Sequence, residues 1–241
     1  MAGPGTRRRA WDGNTRSSHV TDDTTTHRSQ ALVVRGGWPG HVPVEATDFF
    51  IPFLRAHGFD VIARDDLDAY TDEDLMASTD LVVQCWTMGQ ITAEQSAGLA
   101  AAVGAGTGLA GWHGGIVDSF RATPTYLQLT GGQFTCHPGD FIDYELEVRA
   151  ERADHEIVTG ISTVALHTEQ YWVLTDDMND VLATTTLGPG PNWAGVTVPA
   201  VWTRRWGDGR VFVCTVGHHL PDLEVPEIRS IIERGMLWAS R

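Results

Sequence analysis

The sequence contains no lysine: all 17 of its basic residues are arginine. That absence excludes a P-loop lysine, a pyridoxal Schiff base, a kinase-type lysine and a Ser-Lys dyad. Cysteine is nearly as scarce. Cys85, Cys136 and Cys214 are too few and too scattered for a disulfide framework. Each lies in or beside an apolar segment, where a reduced thiol behaves as a small hydrophobe, so the expected compartment is cytoplasmic. Positive charge is short as well, with 31 acidic residues against those 17 and a net charge of −14. That sign disfavours nucleic acid and anionic membrane as partners. No apolar run approaches the ~18 residues of a membrane span.

The 241 residues fit one α/β domain with a tail. Residues 1–30 are rich in Thr, Ser, Asp, Arg and Gly and hold almost nothing apolar, so a disordered tail is expected there. Arg7-Arg8-Arg9 is followed by no apolar stretch and so does not read as an export signal. His19 and His27 fall in this tail.

From Ala31 to the C-terminus strand and helix patterns alternate. Ala31–Arg35, Phe59–Ala63, Asp80–Gln84 and Thr107–Trp112 read as buried parallel strands. Between the first two, Ala46, Phe49, Phe50, Phe53, Leu54 and His57 share a helical face that Gly58 closes, with Pro52 expected to kink or split it. Thr71–Ala77 reads as a short helix, and Thr92-Ala93-Glu94-Gln95 is a capping box opening another. The second half changes character. Tyr144–Val148 alternates as a strand with one wet face, and strands follow at Val164–Leu166, Val181–Thr185, Ala200–Arg204 and Arg210–Val216. Pro226 opens a closing helix. The expected fold is α/β and doubly wound: a mostly parallel sheet with extra antiparallel strands in the second half.

In such sheets ligands bind outside the carboxyl ends of the strands. There the sequence places Gly36-Gly37-Trp38-Pro39-Gly40-His41, Cys85-Trp86-Thr87-Met88, His113-Gly114-Gly115 and Gly217-His218-His219. Gly111-Trp112-His113-Gly114-Gly115 has the form of a nucleophile elbow, a sharp strand-to-helix turn exposing its central residue. The centre is His113, suited to metal ligation or proton transfer rather than to stable acyl attachment.

Four stretches carry a family resemblance: the elbow; Gly131-Gly132-Gln133-Phe134-Thr135-Cys136-His137-Pro138; His167-Thr168-Glu169-Gln170-Tyr171-Trp172; and Gly209–His218. From about Ala31 to Trp238 the chain resembles the trehalose-utilisation (ThuA-like) family of the class I glutamine amidotransferase-like superfamily. The resemblance implies a flavodoxin-like fold without the cysteine nucleophile of true glutaminases. By position, His113, Glu169 and His218 match the family's elbow histidine, its glutamate and its late Gly-His, while His41 falls where some members carry a histidine. Two stretches depart from the family pattern: Asp154-His155-Glu156-Ile157 lacks the usual proline, and Thr168-Glu169-Gln170-Tyr171 lacks an acidic neighbour.

Two histidines and a carboxylate from different strand ends fit a divalent metal, with zinc, manganese, iron and nickel equally open. The expected metal ligands and catalytic residues are His113, Glu169 and His218, with His41 a possible fourth ligand. A hydrogen-bonded cluster without metal is the alternative. Trp38, His41, Trp86, Trp112, His137, Trp172 and His219 are the expected substrate-binding residues, since flat rings beside polar groups suit a sugar face. His167 and His219 read as second-sphere partners, and Gly188–Trp193 as a loop able to act as a lid.

The expected partner is a small-molecule sugar or glycoside; the oligomeric state is not readable. The leading expectation is a metal-assisted enzyme acting on that sugar, including a keto-sugar, by lyase, hydrolase or isomerase chemistry. The alternative is a non-catalytic carbohydrate-binding protein on a glutaminase-like fold. A cysteine amidohydrolase using Cys85 or Cys136 is the weakest reading, because neither occupies the elbow.

Overall fold

The computed structural model describes residues 1–3 and 28–241. Most of the expected tail, with His19 and His27, lies outside the described residues. The described chain runs β1 (Gln30–Gly37), α1 (Pro43–Ala56), β2 (Asp60–Arg64), α2 (Glu73–Ser78), β3 (Leu81–Thr87), α3 (Ala93–Gly104) and β4 (Gly108–Trp112). It continues through α4 (Gly114–Val117), α5 (Pro124–Thr130), β5 (Gly132–Cys136), β6 (Ile142–Val148), β7 (Thr163–Thr168) and β8 (Trp172–Thr175). It closes with β9 (Asp180–Thr186), β10 (Thr197–Trp206), β11 (Gly209–Cys214), α6 (Leu220–Glu224) and α7 (Pro226–Ala239).

Nine strands form one sheet in the order β2-β1-β3-β4-β11-β10-β9-β6-β7. The first five run parallel and the last four pair antiparallel, as the change of pattern along the sequence predicts. Successive strand side chains point to opposite faces, so a continuously apolar strand feeds two cores. In β1, Ala31 and Val33 enter one core, with Phe50 and Leu54 of α1 and Ile228, Ile231 and Met236 of α7. Leu32 and Val34 enter the other, with Leu99 and Val103 of α3 and Tyr126 and Leu129 of α5. This is the doubly wound arrangement.

Pro52 does not split α1, which runs unbroken from Pro43 to Ala56. Pro52 and Asp48, whose carbonyl loses its helical partner, are both on the exposed side, where water replaces the missing bond. The capping box at Thr92 forms in full, with Gln95 N–H donating to its hydroxyl at 3.1 Å. The second helix starts at Glu73, because Asp72 caps it by accepting from the Leu75 N–H. The sequence pattern missed α5 and the separate β5–β8 pair. Gly132–Cys136 passes from buried to exposed without alternating, so it carries no strand signature. Among the described residues no helix is long and apolar enough to cross a membrane.

Candidate metal centre

Four elements bring side chains to the carboxyl edge of the parallel half. After β1, a single 3-10 turn over Pro39–His41 sets His41, which is 5% exposed. After β4 the chain makes the elbow. His113 sits at φ 47°, ψ −143°, outside the regions open to L-residues, a conformation that costs about 1–3 kcal/mol. Its N–H donates to the Cys214 carbonyl at 2.7 Å, and its Nδ1 lies 2.8 Å from the Thr215 carbonyl. After β11, Gly217 at φ +129° turns the chain back and brings in His218. A Cβ at Gly217 would meet Leu223 at 2.7 Å and Trp112 at 3.0 Å, so glycine is required there.

The fourth side chain comes from the antiparallel half. β7 ends at Thr168, and Glu169–Tyr171 then leave the large sheet to enter β8. Thr168 Oγ1 donates to Asp222 Oδ2 at 2.8 Å, and Tyr144 Oη donates to the Glu169 carbonyl at 3.2 Å. These contacts fix the crossing. Tyr171, buried beside Glu169, stacks on the His113 ring with centroids 3.9 Å apart.

One Glu169 oxygen, Oε2, lies 2.9 Å from His218 Nδ1 and 3.3 Å from His113 Nε2. His113 Nε2 and His218 Nδ1 are themselves 3.3 Å apart. His41 completes the cluster: one ligand atom from each of His41, His113, Glu169 and His218 lies within 4.8 Å of all the others. Two outer contacts orient the rings. Thr87 Oγ1 is 2.8 Å from His41 Nδ1, and the Thr215 carbonyl can only accept, so His113 Nδ1 carries the proton. His113 Nε2 faces Glu169 Oε2, where a proton or a cation can bridge the two. Burial, with the neighbouring imidazoles, lowers His41 to about 3. Burial also lowers His113, against the pull of Glu169. Burial would raise Glu169, but His113 and His218 against it outweigh this and hold it well below the usual carboxylate range. Imidazole nitrogens and a carboxylate oxygen converging at these distances form the donor set a divalent cation would use. The residues present fit a metal.

The remaining expected site residues divide. His137 is at the mouth, its Nδ1 donating to the Gly139 carbonyl at 2.9 Å and its Nε2 3.8 Å from Glu169 Oε1. Trp38 meets His41 edge-on at 4.8 Å, and His219 lies 4.0 Å from the His218 ring. Three tryptophans are not at the cluster. Trp112 is 1% exposed and packs on Phe50, because the residue before the elbow points into the core. Trp86 packs over Gly36 and against the second core, and Trp172 lies beside Trp193 of the Gly188–Trp193 loop. His167 is an exposed residue of β7 paired with Asp143, since its alternation turns it away from the site. The sequence reading missed Thr87, Tyr171, Asp222 and Phe141. A carbonyl such as Thr215 leaves no side-chain signal at all.

The family model described as ThuA, trehalose utilisation, matches residues 30–239. The chain belongs to the ThuA family. A ThuA-like protein from Bacteroides uniformis shares its fold with a TM-score of 0.73 and 17% identity, over 88% of this chain and 91% of that one. A ThuA-like protein from Parabacteroides merdae gives 0.72 and 17%, over 88% and 90%. A cytoplasmic protein from Salmonella typhimurium gives 0.62 and 13%, over 88% and all of its chain. At these identities the likeness is one of fold. No curated protein matches the sequence.

Proposed function

We propose that this ThuA-family protein is a metal-dependent enzyme acting on a sugar or glycoside, keto-sugars included. The observation that carries the reading is the convergence of His41, His113, His218 and Glu169 with the His113 proton directed away, onto Thr215. The family's description, trehalose utilisation, supports the sugar. His41, His113, His218 and Glu169 would hold the ion. When bound, a divalent cation supplies Lewis acidity toward a sugar carbonyl or hydroxyl.

The chain's own residues do the rest. Thr215 and Thr87 hold the His113 and His41 rings. His137, half-exposed at the mouth with Nδ1 committed to Gly139, presents Nε2 as the proton acceptor. A carbonyl acidifies the neighbouring C–H, so a base there serves elimination and isomerisation alike, and after elimination water completes a net hydrolysis. Thiol chemistry at the two buried cysteines is disfavoured. Cys85 lies beneath the elbow, where burial pushes its thiol up to about 12, and Cys214 is raised equally by burial. Metal analysis of untagged protein beside His113→Ala tests the proposal. Near-stoichiometric metal lost in the variant is expected. A protein that takes up none of zinc, manganese, iron or nickel would be a binding module instead.

A further inference from the structure

Three buried side-chain polar atoms lack a hydrogen-bond partner among the described residues: Gln170 Oε1, Trp193 Nε1 and Arg204 Nε. Arg204 is otherwise engaged, by Asp176 and Asn179. Gln170 is fully buried, and its amide cannot be turned over to relieve the oxygen. Its Nε2 donates to the Thr186 carbonyl at 3.0 Å, which can only accept, and to Thr185 Oγ1 at 2.6 Å. The Thr185 hydroxyl donates its own proton to the Glu145 carbonyl at 3.0 Å. Both amide hydrogens are therefore committed. Oε1 is left as a buried acceptor with nothing to accept, a destabilising state unless a donor arrives.

Gln170 borders a cavity of about 220 Å³, whose wall includes Pro138, Ile142, Tyr144, Gly188 and Pro189. The other polar groups of that wall are engaged. Tyr144 Oη donates to the Glu169 carbonyl, the Gly139 carbonyl accepts from His137, Thr186 Oγ1 pairs with Thr197 and Asp143 with His167. Pro138, Ile142 and Pro189 add apolar surface. One bridging water, with its share of ~30 Å³, leaves most of this space empty, and further waters would find few of the about 2–4 polar partners each needs. An occupant is small, because sites for drug-sized ligands begin near ~300 Å³. It is mostly apolar and donates one hydrogen bond. No basic side chain lines the wall while Asp143 does, which disfavours an anion.

We infer that this cavity binds a small neutral alcohol with an apolar body, whose hydroxyl donates to Gln170 Oε1. Oε1 is sealed in this structure, and the Gly188–Trp193 loop, which carries the unpaired Trp193 N–H, is the part of the wall that shifts to admit the alcohol. Gln170 follows Glu169 along the chain and Pro138 follows His137, which sets this site beside the His/Glu cluster. It needs neither the metal nor the sugar of the reading above.

NMR titration of the full chain with cyclohexanol tests the site, beside cyclohexanone, which keeps the ring but has no O–H to donate. Cyclohexanol should shift the Gln170 side-chain amide signals and bind about tenfold more tightly than the ketone. Cyclohexanecarboxylate should not bind. The affinity should be the same with and without zinc, since an alcohol held on the metal would respond to it. Ile142→Trp, which fills the cavity and leaves Gln170 in place, should abolish binding with the metal content unchanged. Gln170→Met, close to glutamine in size, should bind alcohol and ketone alike. Equal affinity of wild type for alcohol and ketone, zinc-dependent binding, or full binding by folded Ile142→Trp would overturn the inference. So would a wild type that binds no cyclohexanol. A protein that takes up no metal yet binds the alcohol overturns the metal reading and leaves this site standing.

Discussion

Thr168 Oγ1 donates to Asp222 Oδ2 at 2.8 Å, tying the end of the outermost antiparallel strand to the first turn of α6. The same carboxylate oxygen accepts from the His219 N–H at 2.9 Å. Asp222 therefore joins the residue before Glu169 to the residue after His218, and these two candidate ligands lie 2.9 Å apart.

Asp222→Ala should loosen that join. The Thr168 hydroxyl and the His219 N–H would lose their acceptor, costing about 1–3 kcal/mol. Metal affinity is expected to fall about 10–100-fold, as for other groups that orient ligands. Chelator competition measures it; unchanged affinity in a folded variant would show that Asp222 holds nothing in place.

Two substitutions around His41 should separate orientation from space. Thr87→Val removes the partner of His41 Nδ1 at nearly constant shape, and a loss of about tenfold or more in metal affinity is expected. Thr87→Ser should recover most of it. Gly114→Ala acts through space: a Cβ there would lie 2.4 Å from His41 Cε1 and 2.6 Å from Nδ1. It should displace His41 and weaken the metal further, while circular dichroism stays native.

Native protein treated with iodoacetamide near pH 8 should be alkylated at Cys136 and spared at Cys85 and Cys214. Cys136 is exposed; the other two are buried, and burial holds their thiols near 12, so they carry almost no thiolate at that pH. Peptide mapping by mass spectrometry reads the outcome, and native labelling of Cys85 would contradict its placement beneath the elbow.

Gly98→Ala lies far from the site and tests packing. Alanine is favoured over glycine within a helix by about 1 kcal/mol. In α3, however, a Cβ at position 98 would come within 2.0 Å of the Tyr70 carbonyl. Overpacking should win, lowering stability by about 1–3 kcal/mol in urea unfolding. A stabilised variant would mean that α3 sits further from Tyr70.

Much of the fold was legible because the parallel strands are apolar on both faces, and only a sheet covered by helices on both sides buries such runs. β6 was equally legible from its alternation. The β5–β8 pair was not, since its stability comes from Tyr171, Val173 and Trp202 packing nearby rather than from any local pattern. At the site, His41, His113 and His218 could be placed because strand ends of an open α/β sheet are where ligands gather. The tryptophans show where that reasoning stops. Position along the chain put Trp38 and Trp112 equally near a strand end, yet Trp38 faces solvent and Trp112 packs on Phe50.

By itself the sequence determined the doubly wound class, the family and the residue types available for chemistry, because these depend on local periodicity and short motifs. Only the tertiary structure decided that Glu169 meets His113 and His218. The three come from β7, β4 and β11, and β7 lies at the far edge of the sheet. Bringing its end back across takes the Thr168–Asp222 bond, the Tyr171 stack on His113 and the turn at Gly217. The Thr215 carbonyl that sets the His113 tautomer belongs to the backbone, and no side-chain pattern encodes where it points. These are contacts between residues some 50 to 100 positions apart, as Thr168–Asp222 and His113–Thr215 are, and they arise when two cores pack against one sheet.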